Sequence, residues 1–382
     1  MKRNFSGNDF TLGILGGGQL GRMLLQRTLD FNISTAVMDG DADAPCKNSC
    51  DRFVKGSFAD YDAVYQFGKT VSLLTIEIEH VNTDALFRLE SEGLPVYPQP
   101  SVLAMVKDKG LQKSFYRQYN FPTADFTLLE NRTSLANMSP RFPVIQKLRS
   151  GGYDGKGVFK INAIADYQNA FDEPSLLEDC VDFEKEISVI VARNKNGEVA
   201  AYPAVEMLFN AEANLVEFLA SPADISESTA KEAEEVAISL ISQLKMVGVL
   251  AVEMFVTKTG SVLINEIAPR PHNSGHHTIE ANVTSQYEQH IRAILNLPLG
   301  RTDIVRPAVM INLLGEKGFN GIARYEGLEE VLQLESTYVH LYGKKLTKPF
   351  RKMGHVTVTG KTIEGAKKKA MMVKEKLKVI SE

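Results

Sequence analysis

Tryptophan is absent from the 382 residues, and cysteine nearly so. Cys46, Cys50 and Cys180 are odd in number, which excludes a disulfide framework. Cys46 and Cys50 have no second Cys or His pair at metal-finger spacing, so they read as plain reduced thiols. No apolar run is long enough to span a bilayer. The opening MKRNFSGNDF lacks the apolar centre of a signal peptide, and the expectation is a cytoplasmic protein without a membrane partner. There is no excess of basic charge: 43 Lys and Arg face 47 Asp and Glu, a net charge of -4. That balance argues against a general nucleic-acid binder, whose footprint is strongly basic. Internal repeats and low-complexity tracts are also missing. A lysine run in AKKKAMMVKEKLK near the end reads as the solvated face of a helix.

What is present is alternation. TLGILG reads as a buried strand, followed by a glycine turn and by Leu20, Met23, Leu24 and Phe31 at helical spacing. ISTAVMD, ending at Asp39, and VSLLTIEIEHV (71–81) read as further strands. Strand–helix alternation predicts a parallel sheet with crossover helices. The proline-rich GLPVYPQPS marks a boundary near residue 100, and LPLGRTDIVRP marks another at 298–307. The domains are therefore placed at 1–100, 101–297 and 298–382. Between the boundaries the texture is antiparallel. PVIQKLR and GVFKI flank a glycine loop. EKEISVIVARN and GEVAAYPAVE turn at Asn196-Gly197. Residues 227–245 carry an apolar helical stripe, and GVLAVEMFV with SVLINEIA forms a hairpin. VMINLLG and GHVTVTG supply short strands to the last segment.

Four stretches carry chemistry. The first is GILGGGQLGRML, with G-x-G-x-x-G at Gly16, Gly18 and Gly21. Glycine there permits a sharp strand-to-helix turn and a close phosphate approach. Asp39 lies about where a ribose-binding acid sits in a dinucleotide fold. Taken alone, the turn suits NAD or FAD, another phosphate ligand, or close helix packing. The second is Glu77 and Glu79 in TIEIEH. Alternation would place both on one face at a strand's carboxyl end, as ligand groups or as solvated acids.

The third is KLRSGGYDGKG (147–157), with four glycines and three cations in eleven residues. It reads as a flap folding over phosphates, or as a long exposed hairpin. A P-loop is excluded, because Gly157 follows Lys156 where Ser or Thr is needed. The fourth is the carboxylate hairpin. A turn centred on Thr259-Gly260 places Glu253 opposite Glu266, Cβ atoms about 5 Å apart. Two buried carboxylates that close need a proton, a basic partner or a cation. With Asn265 adjoining, hard oxygen ligands suit Mg²⁺; the alternative is a salt bridge to Arg270. His272, His276 and His277 lack the companions of a zinc finger and read as loop contacts.

GGGQLGRM, EIEH, KLRSGGYDGKG, INEIAPRPHNSGH and YGK…FRKMGH follow one another from about residue 11 to 360. This order resembles the ATP-grasp superfamily and, within it, the 5-(carboxyamino)imidazole ribonucleotide synthases. The resemblance implies a mixed α/β and α+β architecture. A Rossmann-like preATP-grasp domain would precede a two-lobed ATP-grasp domain, with its lid at about 142–205, and a small β-rich C-terminal domain. It implies ATP-dependent carboxylation of 5-aminoimidazole ribonucleotide with bicarbonate, through carboxyphosphate, in a homodimer using ATP and Mg²⁺.

By the same resemblance, Gln19, Leu20, Glu77, Asn273, Ser274, Lys344 and Arg351 would meet the ribonucleotide. Lys109 and Lys147 would reach the phosphates of ATP. The loop Gly152, Tyr153, Asp154, Gly155, Lys156, Gly157 and Val158 would close over them. Glu178, Asp179, Cys180 and Val181 would line the adenine, and Glu186 the ribose. Glu253, Glu266 and Asn265 would carry Mg²⁺, with Asn265 and Glu266 also facing the nucleotide. Arg270 would hold bicarbonate, with Tyr153, Asp154 and His272 positioning groups or moving protons. One departure is Phe209, which stands where relatives place a histidine near the nucleotide. Formate-dependent glycinamide ribonucleotide transformylase, an NAD-dependent dehydrogenase and a nucleotide sensor without turnover are the rival readings.

Overall fold

The computed structural model describes residues 9–136, 138, 141–152, 157–210 and 215–382. β1 (Thr11–Leu15), β2 (Ser34–Asp39), β3 (Arg52–Lys55), β4 (Leu73–Ile76) and β5 (Val96–Tyr97) form a parallel sheet in the order β3-β2-β1-β4-β5. The chain runs outward from β1 to β3, then returns to β4 on the other side of β1. That reversal opens a crevice off the carboxyl ends of β1 and β4, where ligands bind in such sheets. The glycine turn follows β1 and Glu77 follows β4, so topology alone brings them together.

The strand expected over 71–81 is shorter than its apolar run. β4 ends at Ile76, so Glu77 and Glu79 lie beyond the strand rather than on one of its faces.

A small antiparallel sheet follows, built from β6 (Phe126–Leu129), β7 (Val144–Leu148), β8 (Val158–Ile161) and β9 (Ser175–Asp179) in the order β6-β9-β7-β8. It spans 126–179, which corrects the lid range of 142–205. EKEISVIVARN belongs instead to β10 (Phe183–Arg193) of the large sheet.

The large sheet has nine strands. After β10 come β11 (Val199–Ala201), β12 (Val205–Asn210), β13 (Leu215–Ser221), β14 (Gly248–Thr257) and β15 (Val262–Ala268). From the C-terminal segment come β16 (Ala308–Leu314), β17 (Gly321–Glu326), β18 (Thr337–Leu341), β19 (Leu346–Thr347), β20 (Lys352–Thr359) and β21 (Lys378–Ser381). The order is β15-β14-β10-β12-β13-β16-β20-β18, with β11 beside β10, while β19-β17-β21 form a third, separate sheet. β13 pairs with β16 from Phe218↔Ile311 to Ser221↔Ala308. The composition boundary at 298–307 is thus a connection on the chain, and the sheet runs unbroken across it.

The Glu227–Gln243 helix buries Ala233, Ala237, Leu240 and Ile241, the stripe its 3.6-residue period predicts. They pack into one core with Ile187, Val189, Leu250 and Val252 from β10 and β14. The opposite face of β14 buries Val249 and Ala251 against Ile190 and Tyr202, and carries Glu253 further along the strand. Among the described residues no helix is long and apolar enough to cross a membrane.

Candidate functional site

The crevice of the first sheet is already furnished by the protein itself. Gly16 has φ +95°, a backbone state that disfavours any side chain. A Cβ at Gly16 or Gly18 would lie 2.6 Å from Glu77 atoms. The turn is therefore glycine-rich because the Glu77 side chain fills it. Gly21 N donates to Glu77 Oε2 at 3.0 Å, placing a carboxylate at the N-terminus of the Gln19–Asp30 helix. Burial pushes the Glu77 carboxyl up, opposed by the Gly21 amide, the nearby Arg270 and the Gly18 amide.

Asp39 is equally committed: its Oδ2 accepts from Gly17 N at 2.6 Å and its Oδ1 from Asp41 N at 2.8 Å. The dinucleotide reading is corrected on this point, since the acid it needs for a ribose holds the turn. Gln19 and Leu20 begin the helix, where amides have no i−4 carbonyl within it. Lys345 reaches Asp43 at 2.8 Å and ties the loop after β18 to this domain. Within that segment, Lys344 Nζ donates to Lys352 O at 2.7 Å and Arg351 to Leu346 O at 2.7 Å.

The second part of the site lies where the small sheet faces the large one. Glu253 and Glu266 are cross-strand partners, as expected, but by a different route. Near the turn the pairs are Val256↔Val262 and Met254↔Ile264, centred on Thr259. That register would set Glu253 opposite Asn265. A bulge inserts Asn265 as an extra residue and restores Glu266 as the partner. Bulges re-aim side chains, and this one brings Asn265 and Glu266 together against Glu253.

Three lysines meet these oxygens. Lys109 Nζ lies 2.8 Å from Glu266 Oε1. Lys147 Nζ donates to Asn265 Oδ1 at 3.0 Å and pairs with Glu178 Oε2 at 2.7 Å. Lys113 Nζ pairs with the other Glu178 oxygen at 2.7 Å. Asp108 fixes the start of the Lys109–Gln118 helix by accepting from the Gly110 and Leu111 amides. Its Oδ2 also holds Arg149 at 2.6 Å, clamping that helix to the end of β7. The Glu178 side chain, expected beside adenine, is engaged within the protein. It is 4% exposed, with both oxygens turned inward onto lysines.

Charge in the cleft is unevenly matched. Burial first, then Glu266 and Glu186, push the Glu253 carboxyl up to about 8. Burial pushes Glu186 up to about 7, against the pull of Lys147. Lys352 and Lys109 oppose that rise at Glu253 without cancelling it. Glu253, Glu266 and Asn265 offer hard oxygen donors of the kind that could hold Mg²⁺. Among the described residues no three His, Cys, Asp or Glu side chains converge as a complete metal cage. A cation that arrives with substrate phosphates and keeps water is the kind such a partial set suits.

Arg270 joins the two parts, with Nε 2.7 Å from Glu79 Oε1. Burial opposes its charge, but Glu79 and Glu77 hold its guanidinium above the ordinary value. His272 is half-buried and held neutral, its pKa lowered by desolvation and by Arg270 and Lys352. Its Nδ1 takes the Ser274 amide at 3.3 Å, leaving Nε2 3.6 Å from Glu253 Oε1. Ser274, expected at the ribonucleotide, is engaged within the protein. It is 1% exposed and bonded to Ser188 Oγ at 2.8 Å and to His272, so it supports the histidine. Asn273 has a buried side-chain nitrogen with no partner among the described residues.

Gly152, Gly157 and Val158 border the loop between β7 and β8, and Leu148 N donates to Gly157 O at 2.8 Å. Tyr153, Asp154, Gly155 and Lys156 lie outside the described residues. Asp179 is exposed, while Cys180, Val181 and Glu186 are half-buried, continuing from β9 into β10. Phe209 is 36% exposed beside a register shift in β12 and offers no polar atom where a histidine was expected. Lys113 and Ser188 escaped sequence reasoning. The spacing Lys109…Lys113 was the available signal, since residues four apart share a helix face.

Three domain families match in succession: the ribonucleotide synthetase preATP-grasp domain over 10–107, the ATP-grasp domain over 114–287, and the phosphoribosylaminoimidazole carboxylase C-terminal domain over 308–369. The chain is similar to N5-carboxyaminoimidazole ribonucleotide synthase of Bacillus subtilis, 36% identical over 91% of this chain and 90% of that one. It is 38% identical to the phosphoribosylaminoimidazole carboxylase of Candida albicans, covering 93% of this chain but only 65% of that longer protein. Among solved structures, the N5-carboxyaminoimidazole ribonucleotide synthetase of Thermotoga maritima superposes with a TM-score of 0.90 at 42% identity, over 98% of this chain and 100% of that one. The Aspergillus clavatus synthase, in complex with ADP and 5-aminoimidazole ribonucleotide, gives a TM-score of 0.88 at 34% identity, over 96% and 98% of the two chains.

Proposed function

The chain belongs to the N5-carboxyaminoimidazole ribonucleotide synthase family of ATP-grasp enzymes, and on that premise we propose how its site performs the family's reaction. The chain is an ATP-dependent ligase that carboxylates 5-aminoimidazole ribonucleotide with bicarbonate, in purine biosynthesis, yielding ADP and phosphate. The observation that carries the assignment of residues is the register of Glu253 on Glu266, with Asn265, Lys109 and Lys147 converging on the same oxygens.

Lys109 and Lys147 hold the phosphates of ATP between the two sheets. A bicarbonate oxygen attacks the γ-phosphorus, the bond to the ADP oxygen breaks, and carboxyphosphate forms. Arg270, aligned by Glu79, holds the bicarbonate between the nucleotide cleft and the crevice that contains Glu77. The exocyclic amine of the ribonucleotide then attacks the carboxyl carbon, losing a proton as phosphate leaves. The segment bordered by Gly152 and Val158 excludes water from the labile intermediate. Glu253, Glu266 and Asn265 would hold Mg²⁺, which when bound would neutralise phosphate charge. His272 orients Glu253 through its Nε2, and the Ser188–Ser274 pair fixes the ring. Gln19, Leu20, Lys344 and Arg351 serve the phosphate of the ribonucleotide, and the homodimer of the family belongs to the same reading.

ADP release measures this directly. Full rate should require both bicarbonate and 5-aminoimidazole ribonucleotide, and formate should not replace bicarbonate. Glu266→Gln should lower the rate about a hundredfold or more while the melting temperature stays near that of the parent. Undiminished turnover in Glu266→Gln removes the metal-ligand role.

A further inference from the structure

Lys113 carries a charge that the described chemistry does not use. It is 3% exposed, on the same helix face as Lys109, and its ammonium touches Glu178 Oε1 at 2.7 Å and Thr123 Oγ1. Thr123 in turn donates to Ile264 O at 2.8 Å, the residue before Asn265. Glu178 is opposite Ile145, and Lys147 stands two residues along the same face of β7. One buried carboxylate therefore binds two ammonium groups, one on each oxygen.

A buried carboxylate needs one cation to balance it, and a second buried ammonium adds desolvation cost. Burial pulls the Lys113 ammonium down, Glu178 holds it up, and Lys147 and Lys109 push against it. The excess has a use if Lys147 must leave. Were Lys147 the sole partner of Glu178, turning toward a phosphate would strand a buried carboxylate.

We propose that Lys113 is the resident counter-ion of Glu178, which frees Lys147 to move onto the phosphates of ATP. Lys113 is a positioning residue: it acts through Glu178 and Lys147 and touches no substrate. The inference rests on the reading that Lys147 binds those phosphates.

The test compares Lys147→Met, Lys113→Met, Lys113→Arg and the double variant Lys113→Met/Glu178→Gln by steady-state ADP release, with melting temperature followed in parallel. Lys147→Met should raise the KM for ATP about tenfold or more. Lys113→Met should also raise it about tenfold, because Glu178 then captures Lys147. The kcat and the KM for 5-aminoimidazole ribonucleotide should stay near the parent values. Lys113→Arg should recover most of the loss, since it keeps the charge. Lys113→Met/Glu178→Gln should recover it too, because no ionised carboxylate remains to hold Lys147. A purely structural lysine would instead lower the melting temperature and shift both KM values, with the double variant no better than the single.

An unchanged KM for ATP in Lys113→Met, beside a raised one in Lys147→Met, overturns this inference and leaves the phosphate reading standing. An unchanged KM in Lys147→Met overturns both. If Lys113→Met does not fold, Lys113→Gln, which keeps a donor without charge, carries the same comparison.

Discussion

Glu253 lies at the foot of the carboxylate hairpin with a proton affinity raised to about 8 by burial, Glu266 and Glu186. A proton and a divalent cation compete for that oxygen pair. Near pH 6 most of the metal-free site is protonated, and above pH 8 it is ionised. The apparent affinity for Mg²⁺ should therefore rise with pH between about 6 and 8, by up to about tenfold per unit, and level off above. Calorimetric titration of Mg²⁺ into the protein with ADP, at several pH values, measures it. Glu253→Gln should flatten the profile, and an unaltered slope in that variant would assign the proton elsewhere. Sequence reasoning reached Glu253 and Glu266 because strand pairing is a local rule with a period of two. It reached their opposition through a turn centre that the structure shifts, and the bulge at Asn265 makes up the difference. A bulge leaves little trace in one sequence, because Asn is compatible with either register.

The element that most shapes the substrate side is the turn between β1 and the Gln19–Asp30 helix. Its glycines make room for Glu77, and the helix's first amides face that carboxylate. Gly18→Ala would place a Cβ 2.6 Å from Glu77 Oε1 and 3.0 Å from Oε2. The Glu77 carboxylate must then turn away from the helix start. We expect destabilisation of about 1–3 kcal/mol and a raised KM for 5-aminoimidazole ribonucleotide, with the KM for ATP unchanged. Denaturant unfolding and the two KM values decide it; a rise confined to ATP would move this turn to the nucleotide side. The glycine pattern was legible, but its meaning was not. G-x-G-x-x-G marks a turn that admits an anion, and only the sheet order reveals that the anion is Glu77, the residue just after β4.

At the scale of the whole molecule, buried imidazoles join the domains. His290 takes the Val249 amide of β14 on Nδ1 and meets Thr75 Oγ1 of β4 at 2.9 Å with Nε2. The His276 ring lies 4.6 Å from that of His355, which stacks on His340 at 4.4 Å. Burial holds His290 down to about 3 and His277 to about 4, and lowers His276 and His355 well below the ordinary range. Their folded values lie below the unfolded one, so the unfolded chain binds more protons between about pH 3 and 6.5. Stability from these groups is present above pH 6.5 and is lost as pH falls through that window. Melting temperature should decline steadily from pH 6.5 to pH 4. His290→Gln should show a lower melting temperature at pH 7.5 but a shallower acid decline. An equally steep decline in that variant would remove His290 from the account.

The sequence by itself determined many of the core strands and helices, the order of the three segments and the residues most open to chemistry. Those follow from periodicity, turn residues and short motifs, whose physics acts over a few neighbouring positions. Only the tertiary structure decided that Glu178 faces two lysines, that Ser274 backs His272, and that β13 and β16 join two segments in one sheet. Each of these depends on which distant side chain shares a buried space, and a buried charge takes its role from the partner the fold brings to it.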